Sequence, residues 1–505
     1  MAVTAAFPRV VLTIAVLAAG LVAPAARAAP QSAAACGDRR AGHADINGDG
    51  YDDEVVGDPT ATVGDGPGAG AVRVLYGGPG GVAGGGTQTL TAGSPGVATT
   101  AGPGPSPGDG FGWSVTTAHV DDDRCLDVVI GAPWHDVGGK TDTGAVYVIF
   151  GAAHGAGHGR AGTVLTADTW GSGQRNALFG FSLSAADASG ADPSAVAVGA
   201  PYTDRGRLAN AGAAYVRWFT RDGRPQRHRW FTENDPPTRE GAIANGMFGW
   251  SVALGSLSGD PHRADLVVGA PRQPRRTGPR PGAVAILSDL SRRGPVRGRT
   301  LGPVELGVPR TGNVRIGYAL AYMAHGDDHY LAVGVPGATV HGHKAAGAVP
   351  ILRSDGSRYT RAKVVTEGMR GSKTVVEDFD QFGRSVALGA HGRDGVRLGA
   401  GAPYETSRVR HDGAAVIVPL TGRGTARDVY QSLADIPGEP GDGAHVGWSV
   451  RFAGAGGTGP LLVGVPDDGS HVTGAVISVP DGRAARLLAP RDGSGTSFLD
   501  AGAAL

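Results

Sequence analysis

Asp45, Asn47 and Asp49 alternate in the stretch DINGDGYDD (45–53), with Gly50 behind them. Side-chain oxygens at every second position, followed by a glycine for a sharp turn, are how an EF-hand calcium loop begins. An EF-hand ends on a bidentate glutamate at the twelfth position, and here that position is Val56, inside the apolar run of EVVGDP. The loop therefore runs into a strand. That also argues against a dockerin-type loop, which needs a helix. A second acidic stretch, HVDDDRCLD (119–127), has Asp121, Asp123 and Asp127, but His119 stands where the first aspartate would be. Dense carboxylate oxygen suits a hard cation; a bare acidic turn is the alternative reading.

Other chemistry is sparse. There is no H-E-x-x-H and no G-x-S-x-G in the sequence, so neither a zincin site nor a nucleophile elbow is expected. GGKT (138–141) has Trp134 where a P-loop needs its first glycine. His341 and His343 in HGHK could hold a metal, and Glu377, Asp378 and Asp380 could serve acid–base chemistry. Both read better as polar loops. Trp113, Trp250 and Trp448 share one place in a repeat and are expected to pack between repeats. Trp134 is the candidate for an exposed recognition aromatic.

Composition sets the frame for these residues. The 505-residue chain has a net charge of +0 and a pI near 7.3, which gives no electrostatic reason to expect nucleic acid or an anionic membrane surface as partner. Residues 1–28 read as a secretory signal peptide: Arg9, then the apolar run 10–23, then Ala-Arg-Ala (26–28). The run is short for a membrane span, and no later stretch is apolar enough to span. A lipoprotein ending at Cys36 is a further reading. A secreted, extracellular protein is expected, and in an oxidising compartment Cys36 and Cys125 are candidates to pair, with two separate thiols as the alternative.

Glycine is abundant, at 87 residues, and its pattern decides the fold. Seven apolar runs end in a small-residue stop: VVGDP, VIGAP, AVGAP, VVGAP, AVGVP, GAGAP and LVGVP, closing at Pro59, Pro133, Pro201, Pro271, Pro336, Pro403 and Pro466. Six are preceded by an aromatic-glycine type motif, beginning at Phe111, Phe179, Phe248, Ile316, Phe382 and Val446. All seven are followed by a Gly-Ala-Val-like run such as TGAVYVIF. Each unit reads as a small antiparallel sheet, and seven of them make an all-β, seven-bladed propeller of four-stranded blades.

The order of aromatic-glycine, acidic loop, apolar strand and Gly-Ala-Pro resembles the FG-GAP repeats of the integrin α-subunit propeller, which also occur in secreted bacterial proteins. The resemblance covers residues 37–490, between a short N-terminal tail (29–36) and a C-terminal tail (491–505). It departs at the first blade, which has no aromatic-glycine opener. It implies calcium loops closed at the ninth position. The first would use Asp45, Asn47, Asp49, the Tyr51 carbonyl and Asp53. The second and weaker one would use Asp121, Asp123, the Cys125 carbonyl and Asp127. It further implies a non-enzymatic recognition or adhesion role toward an extracellular protein or carbohydrate. A hydrolase or lyase using the central pocket is the alternative.

Overall fold

The computed structural model describes Cys36 and residues 44–98, 104–187, 194–235, 241–257, 264–273, 281–290, 296–310, 312–356, 359–392, 395–422, 424–438, 441–466 and 474–488. The expected signal peptide and the C-terminal tail lie outside the described residues. Seven antiparallel sheets stand in a ring, as the repeats predict. They span residues 54–90, 114–165, 182–231, 251–301, 320–365, 385–429 and 450–487, and are called blades 1 to 7. Strands within a blade follow chain order from the axis outward. The middle strands, such as Asp127–Ala132 and Ala145–Ile149, are buried on both faces because blades pack face to face. Outer strands alternate or stay exposed, as in Pro225–Phe231.

One correction applies. Blade 1 has three strands among the described residues, not the expected four: its order is Glu54–Asp58, Ala71–Tyr76, Gly86–Leu90. Glu54–Asp58 leads into Pro59, so it matches the second strand of the other blades, and among the described residues no strand occupies the inner position. The missing aromatic-glycine opener is the sequence counterpart of that gap.

The repeated motifs lock blade to blade. Phe111, Phe179, Phe248 and Phe382 are fully buried. The glycine after each of them has a left-handed backbone (Gly112 φ 94°, Gly249 φ 89°), which an L side chain resists. That turn aims its carbonyl at the glycine of the preceding blade's Gly-x-Pro stop. A Cβ on Gly57, Gly131, Gly199, Gly269, Gly334 or Gly401 would overlap the carbonyl oxygen of Gly112, Gly180, Gly249, Gly317, Gly383 or Gly447 respectively. Serine completes the joint: Ser114, Ser182, Ser251 and Ser385 donate to the same carbonyls of Gly180, Gly249, Gly317 and Gly447, at 2.7, 3.1, 2.8 and 2.8 Å.

The seventh joint is different. Blade 1 has no aromatic-glycine pair to offer blade 7, and the buried Ser449 hydroxyl finds no hydrogen-bond partner among the described residues. The apolar cluster across this seam is small: Val56 and Leu75 against Ala453, Leu462 and Val476. Charge fills part of the gap. Glu54, fully buried, accepts from the Gly454 amide at 2.6 Å and lies 3.5 Å from Arg451 Nε. Arg451 also reaches Thr117 Oγ1 of blade 2 at 3.4 Å. One guanidinium thus links blade 7 to blades 1 and 2.

Elsewhere in the ring the place of Glu54 holds Val128, Val196, Leu266, Leu331, Leu398 or Leu461, and the place of Arg451 holds Thr116, Ser184, Ala253, Ala321 or Ala387. Breaking a buried ion pair by removing one partner costs about 3–5 kcal/mol, whereas an apolar replacement of the pair can be neutral. Arg451→Ala is expected to lose about 3 kcal/mol in denaturant unfolding, the lower end because its side chain is 20% exposed. The double variant Glu54→Leu/Arg451→Ala restores the repeat consensus and should recover most of that loss. A double variant as unstable as the sum of the singles would contradict a closing ion pair.

Candidate functional site

The loops between inner and second strands lie at one end of the propeller, and the aromatic-glycine and Gly-x-Pro motifs at the other. The acidic stretches belong to the first end. In the first loop Asp45 accepts from the Gly48 and Gly50 amides at 2.6 and 2.7 Å. Asn47 and Asp49 accept from the Asp49 and Tyr51 amides at 3.1 and 2.9 Å. Asp53 is buried and accepts from the amides of Ile46 and of Gly77, just past the strand Ala71–Tyr76, each at 2.7 Å. Asp127 repeats this in the second loop, accepting from Val120 at 2.7 Å and Gly151 at 2.9 Å. The ninth acid is therefore a brace between its own loop and the third strand, whatever else it binds.

The two loops differ in how their acids converge. Asp121, Asp123 and Asp127 each bring an oxygen within 4.8 Å of the others. Asp45, Asp49 and Asp53 form no such triplet. Charge separates the loops in the opposite sense. Arg160 lies 2.6 Å from Asp121 and stacks 3.4 Å over the Phe150 ring, so the second loop has a built-in cation. Among the described residues no basic side chain pairs with Asp45, Asp49 or Asp53. His119 turns away from its loop to Asp187 of blade 3, Nδ1 to Oδ2 at 3.1 Å, and that bond holds its pKa above the ordinary value.

Cys36 and Cys125 are joined by a disulfide, with Cα atoms 5.3 Å apart. Cys36 lies against Gly48, where a Cβ would overlap it, so the bridge fastens the first loop onto the second. Backbone bonds reinforce it: the Leu126 amide donates to Asp45 at 2.8 Å and the Ala152 amide to Ile46 at 3.1 Å.

At the opposite end, the residue after each aromatic-glycine pair points toward its neighbour around the axis. Trp113, Phe181, Trp250 and Tyr318 follow one another at centroid distances of 5.5, 4.8 and 5.2 Å. Arg384 continues the series, 5.3 Å over Tyr318 and 3.9 Å over Trp448. Trp134 packs edge-on against Trp113 at 4.6 Å. Trp113, Trp250 and Trp448 pack between blades as expected, each against a residue of an adjoining blade, and they are half-buried members of a rim that runs through blades 2 to 7. The next residues of the chain enter the inner strands, so the rim encircles the axis.

Below the rim a cavity of about 530 Å³ follows the axis, lined in part by Thr116, Leu254, Tyr322, Leu388, Arg451 and Phe452. Its titratable groups are engaged: Tyr322 with His329 at 2.8 Å, Asp187 with His119, and Arg451 with Glu54. The loops singled out in the sequence fall outside it. His343 meets Asp378 at 3.3 Å on the surface. Lys140 pairs with Asp168.

Sequence reading missed Glu54, Arg451, Arg160, and the rim members Phe181, Tyr318 and Arg384. Glu54 and Arg451 could have been found as charges at otherwise apolar or small repeat positions. Arg160 had no such signal, because it meets Asp121 only in space, far along the chain from it.

Burial pushes Asp53 up to about 7, with Asp45 and Asp49 adding repulsion. An unfolded aspartate releases its proton at about 3.9. The metal-free folded state therefore binds more protons than the unfolded state between these values. The contribution of Asp53 to stability is therefore fully present below about pH 4 and is lost as pH rises through about 7. In chelator, Asp53→Asn should flatten this decline in unfolding midpoints; an unchanged slope would contradict the assignment.

The FG-GAP repeat family model matches residues 111–149, which take in the three inner strands of blade 2. Among curated proteins, the chain is similar to phosphatidylinositol-glycan-specific phospholipase D of Bos taurus, 29% identical over 167 residues, or 32% of this chain and 19% of that protein. The Rattus norvegicus protein of the same name is 27% identical over 241 residues, 45% of this chain and 26% of that one. The chain thus spans 19% to 26% of the length of these relatives. Among solved structures, the periplasmic gluconolactonase of Pseudomonas aeruginosa aligns with a TM-score of 0.43 and 11% identity over 86% of this chain and 99% of that one. With its repeat match and seven blades, the chain fits an integrin α N-terminal-like FG-GAP propeller.

Proposed function

We propose that the protein is a secreted recognition or adhesion-type propeller that engages an extracellular protein or carbohydrate through its aromatic rim. The rim carries the reading. The half-buried rings of Trp113, Trp250, Tyr318 and Trp448, arrayed around one axis with Phe181 buried among them, offer apolar contact of fixed geometry to a sugar ring or a projecting side chain, and Arg384 adds a charge within the array. The engaged state of the titratable groups along the cavity favours binding over turnover. A disulfide fits an extracellular setting, and among the described residues no helix is long and apolar enough to cross a membrane.

Calcium belongs to the same proposal. Asp45, Asn47, Asp49 and Asp53, with the Tyr51 carbonyl, form a hard-oxygen donor set without a basic side chain, and they would hold the ion. Bound calcium would neutralise these acids and fix the loop. Asp121, Asp123, Asp127 and the Cys125 carbonyl would form the weaker site, because Arg160 already supplies positive charge there.

Two measurements test the proposal. A chelator should lower the melting temperature, since a ligand at a hundredfold excess over Kd adds about 2.7 kcal/mol. Asp49→Ala should abolish most of that difference, and Asp123→Ala only part; no calcium uptake in calorimetry at millimolar metal would overturn the metal reading. For the rim, tryptophan fluorescence titrated with a panel of soluble oligosaccharides and peptides should yield a binder whose quenching is lost in Trp250→Ala. Chemical conversion of that binder by the protein would instead favour the hydrolase or lyase alternative.

A further inference from the structure

Between blades 5 and 6 lies a third group of acids, which neither acidic loop contains. Glu367 follows the outer strand Tyr359–Val365 of blade 5. Asp380 precedes Phe382, and Glu405 follows the Gly-x-Pro stop of blade 6. One oxygen of each lies within 4.8 Å of the others. The three residues are 3%, 1% and 4% exposed. Among the described residues, neither carboxylate oxygen of Glu367, nor Oε2 of Glu405, meets an N–H or hydroxyl donor, and Glu367 faces the carboxyls of Asp380 and Glu405. Asp380 accepts from the Glu377 amide at 2.6 Å. His343 is the positive neighbour Asp380 feels, and it stands outside the cluster with Asp378.

The same slot exists at the blade 1–2 interface, three joints away round the ring of seven, and there an acid meets an imidazole. Asp109 and His135 occupy the repeat positions of Asp380 and Glu405, and they pair at 3.0 Å, both buried. Blade 6 replaces the imidazole with a carboxylate, and blade 5 adds Glu367. A buried carboxylate without a partner is strongly disfavoured. Three of them together, with lone pairs facing one another and no N–H or hydroxyl donor on Glu367 among the described residues, describe a site short of one compact positive charge. All the ligand atoms are hard oxygens, which select a cation of the calcium class over zinc or copper.

We propose that Glu367, Asp380 and Glu405 form a buried interblade site for a hard divalent cation, separate from the acidic loops. The ion would tie blade 5 to blade 6 where the blade 1–2 interface uses an acid–imidazole pair.

Calcium counting on chelator-stripped, re-equilibrated protein tests this, with Asp49→Asn removing the first loop from the count. Adding Glu405→His rebuilds the blade 2 pair and should give a folded protein that binds one calcium fewer per chain. Should that variant not fold, Glu367→Gln reads the same loss. Crystals of the wild type grown with manganese should also show anomalous scattering at the triad. Equal calcium counts with and without Glu405→His or Glu367→Gln, or no manganese peak between Glu367 and Glu405, would overturn the proposal and leave a cluster held by protons. Because the first loop is disabled throughout, this outcome is independent of whether Asp45–Asp53 binds calcium.

Discussion

In six of the seven blade interfaces, a glycine carbonyl of one blade occupies the space where a side chain would stand on the Gly-x-Pro glycine of the blade before it. Nothing larger than hydrogen fits there. The left-handed turn of the aromatic-glycine pair aims that carbonyl, the buried phenylalanine fixes the turn, and a serine hydroxyl holds it in four of the interfaces. The aromatic-glycine and Gly-x-Pro motifs are therefore two halves of one joint. The ring is rigid because each joint spaces its neighbours, and the cost of error is high because the last blade must still meet the first. At that meeting the joint is absent, and Glu54 and Arg451 stand in for it.

This arrangement separates two faces by chemistry. The motif that builds the joint also sets the residue after it, so a side chain at that place in every complete blade is presented around the axis. Aromatic residues and one arginine there become a continuous rim without any loop having to be positioned independently. The acidic loops lie at the far ends of the same strands. Their disulfide and shared amides make blades 1 and 2 a single stiff piece, so a ligand at the rim and a cation at the loops would act on the same rigid body from opposite ends.

Much of the fold was legible because the joint is written in glycine and proline, which leave unmistakable periodic marks. Seven units and their strand order follow from spacing alone. Trp113, Trp250 and Trp448 share a repeat position and pack between blades as that position implies, but their joining with Phe181, Tyr318 and Arg384 into a rim about the axis is not recorded in the period. The four-strand expectation failed at blade 1 because the stop motif identifies the second strand and cannot guarantee the first. In the candidate site, the ligand-type residues were legible and their convergence was not. The second loop, altered at His119, gathers its acids most tightly, because Arg160 from the end of the same blade offsets their repulsion. That contact, like the meeting of Glu367 with Asp380 and Glu405, depends on tertiary neighbours that no local pattern records.

Native-state hydrogen exchange on the intact protein tests the central claim, that one interface closes the ring by different means from the rest. The strands flanking the seam, Val450–Phe452 and Glu54–Asp58, should exchange through an opening of lower free energy than Ser182–Ala186 and Ser251–Gly255, which face intact joints on both sides. Equal protection of all four strands, or an earlier opening between blades 3 and 4, would contradict it.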